Sequence, residues 1–216
     1  AKLLKAGRKV AICEQVEDAK PGKLVERKVT QILSPGTHLD ERMLTAESNN
    51  YLAAAHKEGR TFALAVIDLT TGSFKTTEPA DTLALLTELD RLRPAEVVIA
   101  ANAPEIRALV EPAAPILQEH EGWVFGAETA EHTLHEHFGV KTLDGFGLKN
   151  HAAAVGAAGA ALHYLAHHLR RDVSHLRSLS FYIPDELLTL DTTTLRHLEI
   201  LEPIQRDAPR SACLYG

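Results

Sequence analysis

The stretch Thr61-Phe62-Ala63-Leu64-Ala65-Val66-Ile67-Asp68-Leu69-Thr70-Thr71-Gly72-Ser73-Phe74-Lys75-Thr76-Thr77-Glu78 reads as two strands joined by a tight turn at Thr70, Thr71 and Gly72. The first half is apolar nearly throughout (Phe62, Leu64, Val66, Ile67, Leu69), the pattern of a strand covered on both faces. The second half, with Phe74 among polar neighbours, predicts a half-exposed strand. After Pro79 the pattern alternates between helix and strand, so the hairpin seeds a mixed sheet covered by flanking helices, an α/β class.

Working outward, Tyr51 to His56 predicts the preceding strand, with a turn at Glu58 and Gly59. Pro79 to Leu92 predicts a helix in which Leu83, Leu86 and Leu89 recur at helical spacing, ended by Pro94. Glu96 to Ala100 is a short buried strand, Pro104 to Glu111 a short helix, and Pro115 to Gln118 another strand. Trp123 and Phe125 precede a helix whose stripe of Ala127, Ala130, Leu134 and Phe138 is assigned to the core. His151 to Arg171 predicts a long alanine-rich helix; glycines at 156 and 159 inside it cost about 1 kcal/mol each, which makes sense where another backbone approaches closely.

Upstream, Arg8 to Val16 and Leu24 to Leu33 are strand-like runs separated by a polar loop closed at Pro21-Gly22. Two strands alone do not bury a face, so they read as half a sheet. Downstream, Ser178 to Ile183 and Leu187 to Leu190 are short extended pieces before a helix capped by Asp191. Both ends read as cut, which predicts a piece of a larger protein.

With 216 residues and 45% apolar content, the chain suffices for one sizeable globular, water-soluble domain with parts of its neighbours. It carries no apolar run of membrane-spanning length and no secretory signal, so a cytoplasmic location with no membrane partner is expected. Cys13 and Cys213 have no metal spacing and fit a reducing compartment. The net charge of −6 is uneven: residues 1–42 carry +3 and the remainder −9. Nucleic-acid binding is therefore placed in the first stretch, where Lys20, Lys23, Arg27 and Lys28 are the candidate phosphate contacts.

Chemistry-bearing motifs are sparse. The sequence has no G-x-x-x-x-G-K-[ST] loop to cradle nucleotide phosphates. Gly145-Phe146-Gly147 resembles half a dinucleotide fingerprint, but Asn150 replaces the third glycine, so a plain loop is expected. His132, His135 and His137 with Glu131 and Glu136 read as a solvated helix face, His132 and Glu136 sharing one side. His163, His167 and His168 read the same way, although His163 and His167 at i,i+4 could capture a divalent ion. No catalytic, cofactor or metal residue is assigned.

Ala11-Ile12-Cys13-Glu14-Gln15-Val16-Glu17-Asp18, Val25-Glu26-Arg27-Lys28-Val29 and Ser34-Pro35-Gly36-Thr37 closely resemble the end of the mismatch-binding domain of the bacterial MutS family. Asp68-Leu69-Thr70-Thr71-Gly72, Gly145-Phe146-Gly147, His175-Leu176-Arg177-Ser178-Leu179 and Leu190 to Ile200 resemble later segments of that family in the same order. Departures fall at Ala19, Leu195 and His197. The resemblance implies the end of a mismatch-binding domain over 1–40, a linker over 41–49, a ribonuclease-H-like connector domain over 50–172 and the start of a core domain over 173–216. It further implies a parent, expected to be a homodimer, that recognises mispaired duplex DNA, uses ATP and Mg, and recruits a MutL-type partner. The chain itself is expected to be a non-enzymatic relay. Because the connector resembles ribonuclease-H-like nucleases, the main alternative is metal-dependent cleavage carried by Asp68 with Glu96, Glu119 or Asp144. Asp68 is better read as bonding the turn at Thr70 or Thr71. A second alternative is a DNA-binding module.

Overall fold

A computed structural model describes residues 2–5, 7–15, 25, 27–37, 49–184 and 198. The chain divides into two compact units, Ala1–Tyr182 and Ile183–Gly216. In the second, only Ile183, Pro184 and Leu198 are described, and Ile183 and Leu198 are exposed. The extended piece at Leu187 to Leu190 and the helix from Asp191 lie outside the described residues.

The first unit opens with α1 (Lys2–Lys5), then β1 (Val10–Gln15) and β2 (Arg27–Leu33), which pair antiparallel as a two-stranded ribbon. A six-stranded sheet follows, built from β3 (Tyr51–Glu58), β4 (Thr61–Asp68), β5 (Ser73–Thr77), β6 (Glu96–Ala100), β7 (Leu117–His120) and β8 (Ser180–Phe181). Their order is β7-β6-β3-β4-β5-β8; the first three in sequence are antiparallel, and β6, β7 and β8 join parallel to their neighbours. The helices are α2 (Thr82–Leu92), α3 (Pro104–Val110), α4 (Ala127–Phe138) and α5 (Ala152–His163). This is the mixed, helix-covered sheet expected from the hairpin.

Alternation along the strands sorts the core onto two faces. Leu52, Ala54, Ala65, Ile67 and Val98 face α4 and α5; Ala53, Ala55, Leu64, Val66, Val97 and Ile99 face α2 and α3. Burial on both sides explains why β4 reads as a continuous apolar run. In β5 the expected half exposure holds at Ser73 and Lys75 but not at Thr77. Phe74, Thr76 and Thr77 are buried because β8 flanks the strand and α5 covers it, and the Thr76 hydroxyl lies 3.2 Å from the Leu64 carbonyl and 3.3 Å from that of Ala154.

Helix boundaries and faces move too. α2 starts after Asp81, whose carboxylate accepts from the Ala84 N–H at 2.8 Å, not at Pro79. It ends at Arg93, left-handed at φ 44°, just before Pro94. Its buried face is Leu85, Glu88 and Leu89, while Leu83 is 72% exposed. The strand expected at Pro115 to Gln118 runs two residues later, as β7.

Trp123 lies in a 3-10 turn and is 60% exposed, so the aromatic entry to α4 is only half core: Val124, Phe125, Ala130 and Leu134 are buried. The helix from His151 is regular only to His163, then widens into a π-helical turn over Tyr164–His168. Its glycines meet the close approach they imply. A Cβ on Gly159 would stand 2.4 Å from the Ala130 Cα, and one on Gly156 would stand 2.7 Å from the Phe125 carbonyl oxygen.

Candidate functional site

Two places gather polar side chains in unusual surroundings: the seam between the ribbon and the sheet, and a group of histidines beside it. At the seam, the Ile32 N–H donates to the Leu169 carbonyl at 2.9 Å, and Arg171 Nη1 donates to Gln31 Oε1 at 2.7 Å. The Arg170 guanidinium donates to the Val29 carbonyl, and Asn50 Nδ2 to the Pro35 carbonyl at 3.1 Å. The turn Ser34 to Thr37 is fully buried, and its Gly36 N–H lies 3.4 Å from Glu96 Oε2. Any Cβ at Gly36 would stand 3.1 Å from the Glu96 Cβ, so glycine lets the turn close over β6.

Glu96 is itself buried, and Tyr164 donates its hydroxyl to Glu96 Oε1 at 2.6 Å. Burial, reinforced by the Glu96 charge, pushes the Tyr164 phenol well above its ordinary value, so the hydroxyl stays a donor. Lys9 caps the arrangement, with Nζ 5.1 Å from the Tyr164 ring centroid and 3.4 Å from His168 Nε2. Desolvation lowers the Lys9 pKa, and Glu96 partly opposes it. Arg171 is also lowered, by burial.

The histidine group sits where the end of β7 meets the end of α5. His120 is 5% exposed, its Nε2 lies 3.1 Å from His163 Nδ1, and its Nδ1 lies 3.2 Å from Glu121 Oε2. Tyr164 and His168 approach its ring edge-on, at 5.4 Å between centroids. The His163 ring stands 4.5 Å from that of His167 and 5.5 Å from that of Trp123. Burial pushes His120 down to about 4, with Glu121 opposing, and burial also lowers His163 and His168. The expectation of a uniformly solvated face at 163, 167 and 168 is corrected for His163, which is half-buried against His120.

The other candidates are dispersed. Arg27 and Lys28 are exposed on β2, opposite Gln15 and Glu14; as consecutive strand residues they point to opposite faces. Lys20 and Lys23 lie outside the described residues. Asp68 is fully buried, and its Oδ1 accepts from the Thr70 N–H at 2.8 Å and the Thr70 hydroxyl at 2.5 Å, the turn bond expected of it. Its Oδ2 is buried without a hydrogen-bond partner among the described residues. Glu96 is committed to Tyr164, Glu119 is exposed and paired with Arg107, and Asp144 is exposed in a 3-10 turn.

At the start of α5, where a dinucleotide would place its phosphates, the Glu78 carboxylate already sits. Its Oε1 accepts from the Ala154 N–H at 3.0 Å and its Oε2 is 2.7 Å from His151 Nδ1. His132 and Glu136 do share an exposed helix side, 3.8 Å apart, while His137 Nε2 lies 2.8 Å from the Leu176 carbonyl oxygen. Among the described residues, no three His, Cys, Asp or Glu side chains converge as a metal site.

Sequence reading singled out neither His120 nor the Tyr164 to Glu96 bond. Each joins residues far apart in the chain, and the available local signals were a histidine closing a short, mostly polar strand and a glutamate opening an apolar one.

Comparison with known proteins places these features. Residues 1–42 match the model of MutS domain I and residues 50–177 that of MutS domain II. The chain is 38% identical over 206 residues to the DNA mismatch repair protein MutS of Solibacter usitatus, covering 94% of this chain and 24% of that protein. It is also 38% identical to the MutS proteins of Protochlamydia amoebophila and Symbiobacterium thermophilum, over 100% of this chain and 26% and 25% of theirs. The chain thus spans about a quarter of the length of the curated relatives it matches.

Proposed function

The chain belongs to the MutS family of DNA mismatch-repair proteins, and from that premise we propose that it is the connecting region of such a protein, passing movement between the parts on either side and offering a surface to a MutL-type partner. The observation that carries this reading is the seam. A relay needs a stiff body whose attachment does not depend on a flexible linker alone. Here the ribbon is bonded through Ile32 and Gln31 to Leu169 and Arg171, just past the π-helical turn that follows α5, and to β6 through the buried turn at Gly36. A displacement of the ribbon is delivered directly to the helix-covered sheet.

In this proposal the parent recognises mispaired duplex DNA, works as a cytoplasmic homodimer and couples recognition to ATP and Mg bound elsewhere, since this sequence has no phosphate-cradling loop. The chain's own part is non-enzymatic. Arg27 and Lys28, with Lys20 and Lys23, add sequence-independent phosphate contacts.

The test is a titration of the chain with a MutL-type protein, with a mismatched duplex as parallel ligand. Partner binding without tight DNA binding is expected. DNA binding alone, surviving moderate salt, would move the function to the ribbon. Mg²⁺- or Mn²⁺-dependent cleavage abolished by Asp68→Asn would replace the relay with the nuclease reading.

A further inference from the structure

Independently of that reading, we infer that His120 and His163 form a binding site for a single transition-metal dication of the zinc class, at the corner between the end of β7 and the end of α5. The two facing nitrogens, His120 Nε2 and His163 Nδ1, are 3.1 Å apart. Two imidazole nitrogens bound tetrahedrally to zinc at about 2.0–2.1 Å lie roughly 3.3–3.4 Å from each other; the rings face nearly head-on with centroids 5.3 Å apart, so a few tenths of an ångström of opening and a tilt of each ring admit the ion between them.

The remaining nitrogen of His120 supports the same use. Its Nδ1 faces Glu121 Oε2 at 3.2 Å, the carboxylate-behind-histidine arrangement that fixes the ring's tautomer and raises its basicity toward a metal. The His120 ring is held in place by burial and by the edges of Tyr164 and His168.

The site is a two-histidine one as it stands, because among the described residues no third His, Cys, Asp or Glu side chain converges on it. His168 is engaged with Lys9 at 3.4 Å, and that ammonium disfavours a cation on its side. His167 is exposed, one turn beyond His163 with its ring 4.5 Å away, and a rotation brings it to the open side; water fills what remains. Soft-to-borderline dications that take imidazole fit this set, and Mg²⁺ or Ca²⁺, which demand oxygen ligands, do not.

The competing explanation is a plain N–H···N hydrogen bond between the two rings, and the test separates the two. Metal-stripped, untagged chain is titrated with Zn²⁺ by calorimetry and with Co²⁺ by visible absorption, which reports coordination geometry directly. One equivalent is expected to bind, with His120→Gln and His163→Gln each weakening affinity at least about tenfold. Glu121→Gln, an exposed change, should weaken it about tenfold without disturbing the fold. His132→Gln on the separate α4 face should leave it unchanged. If a histidine variant does not fold, Glu121→Gln and the Co²⁺ spectrum still decide. Absence of stoichiometric binding, or binding indifferent to the variants at 120, 163 and 121, would overturn the assignment.

Discussion

Replacing Gly159 by alanine tests the packing of α4 on α5 at its tightest point. Taken alone, the change favours the helix by about 1 kcal/mol, because glycine loses more backbone freedom on folding. Against this, the new methyl would stand 2.4 Å from the Ala130 Cα, 2.5 Å from its Cβ and 2.8 Å from its carbonyl oxygen. Ordinary contact begins near 3.4 Å, so α4 has to withdraw by about 1 Å. Two of the three opposing atoms are main chain, so a change of rotamer does not relieve the clash. Overpacking of this kind costs about 3 kcal/mol, and the net loss is then about 2 kcal/mol.

Urea denaturation followed through Trp123, the single tryptophan and one packed beside α5, reads the effect. With a slope of roughly 2 kcal/mol per molar, the midpoint falls by about 1 M and the slope stays unchanged. Gly145→Ala, where nothing lies within 4 Å, serves as the neutral control. Adding Ala130→Gly to Gly159→Ala should rescue little, because the Cα and carbonyl oxygen of residue 130 remain. Gly159→Ala as stable as the parent chain would refute the close-approach argument.

Asp81→Ala removes the cap on the Ala84 N–H and should cost about 1 kcal/mol in the same denaturation assay; no loss would mean α2 is held by packing alone. Tyr164→Phe strands Glu96 Oε1 in the interior, and a loss of about 1–3 kcal/mol is expected, with faster hydrogen exchange at the Gly36 amide as its local signature. His56 is lowered by burial, with Glu58 opposing, so the unfolded chain takes up that proton first. Its contribution is intact above about pH 6.5 and is lost progressively as pH falls below that value toward the folded pKa. In melting experiments His56→Gln should flatten part of that slope, and His120, His163 and His168, shifted the same way, add to it.

What could be read in advance was local. The turn bond of Asp68 to Thr70, the double-sided burial of β4 and the close approach at Gly156 and Gly159 follow from residue types within a few positions of one another. The pairing of elements was legible only in outline. Helical spacing nominated Leu83, Leu86 and Leu89 on α2; Leu89 is buried and Leu86 packs partly buried beside it, but the helix, starting after Asp81, turns Leu85 inward in place of Leu83. An exposed Trp123 defied its hydrophobicity because its 3-10 turn buries Val124 and Phe125 in its place. The meeting of His120 with His163, and of Glu96 with Tyr164, depends on which distant elements become neighbours, and no short-range period encodes that.

The bonds of Ile32 to Leu169 and of Gln31 to Arg171 join residues about 140 apart in the chain. The stretch that carries β3 to β7 therefore begins and ends at one point, and the chain returns beyond it only to add β8. Tension applied to the chain at residues 31 and 171 loads this fastening first. The five strands β3 to β7 come under load only after it parts, so the fastening works as a mechanical fuse, set to yield before they do.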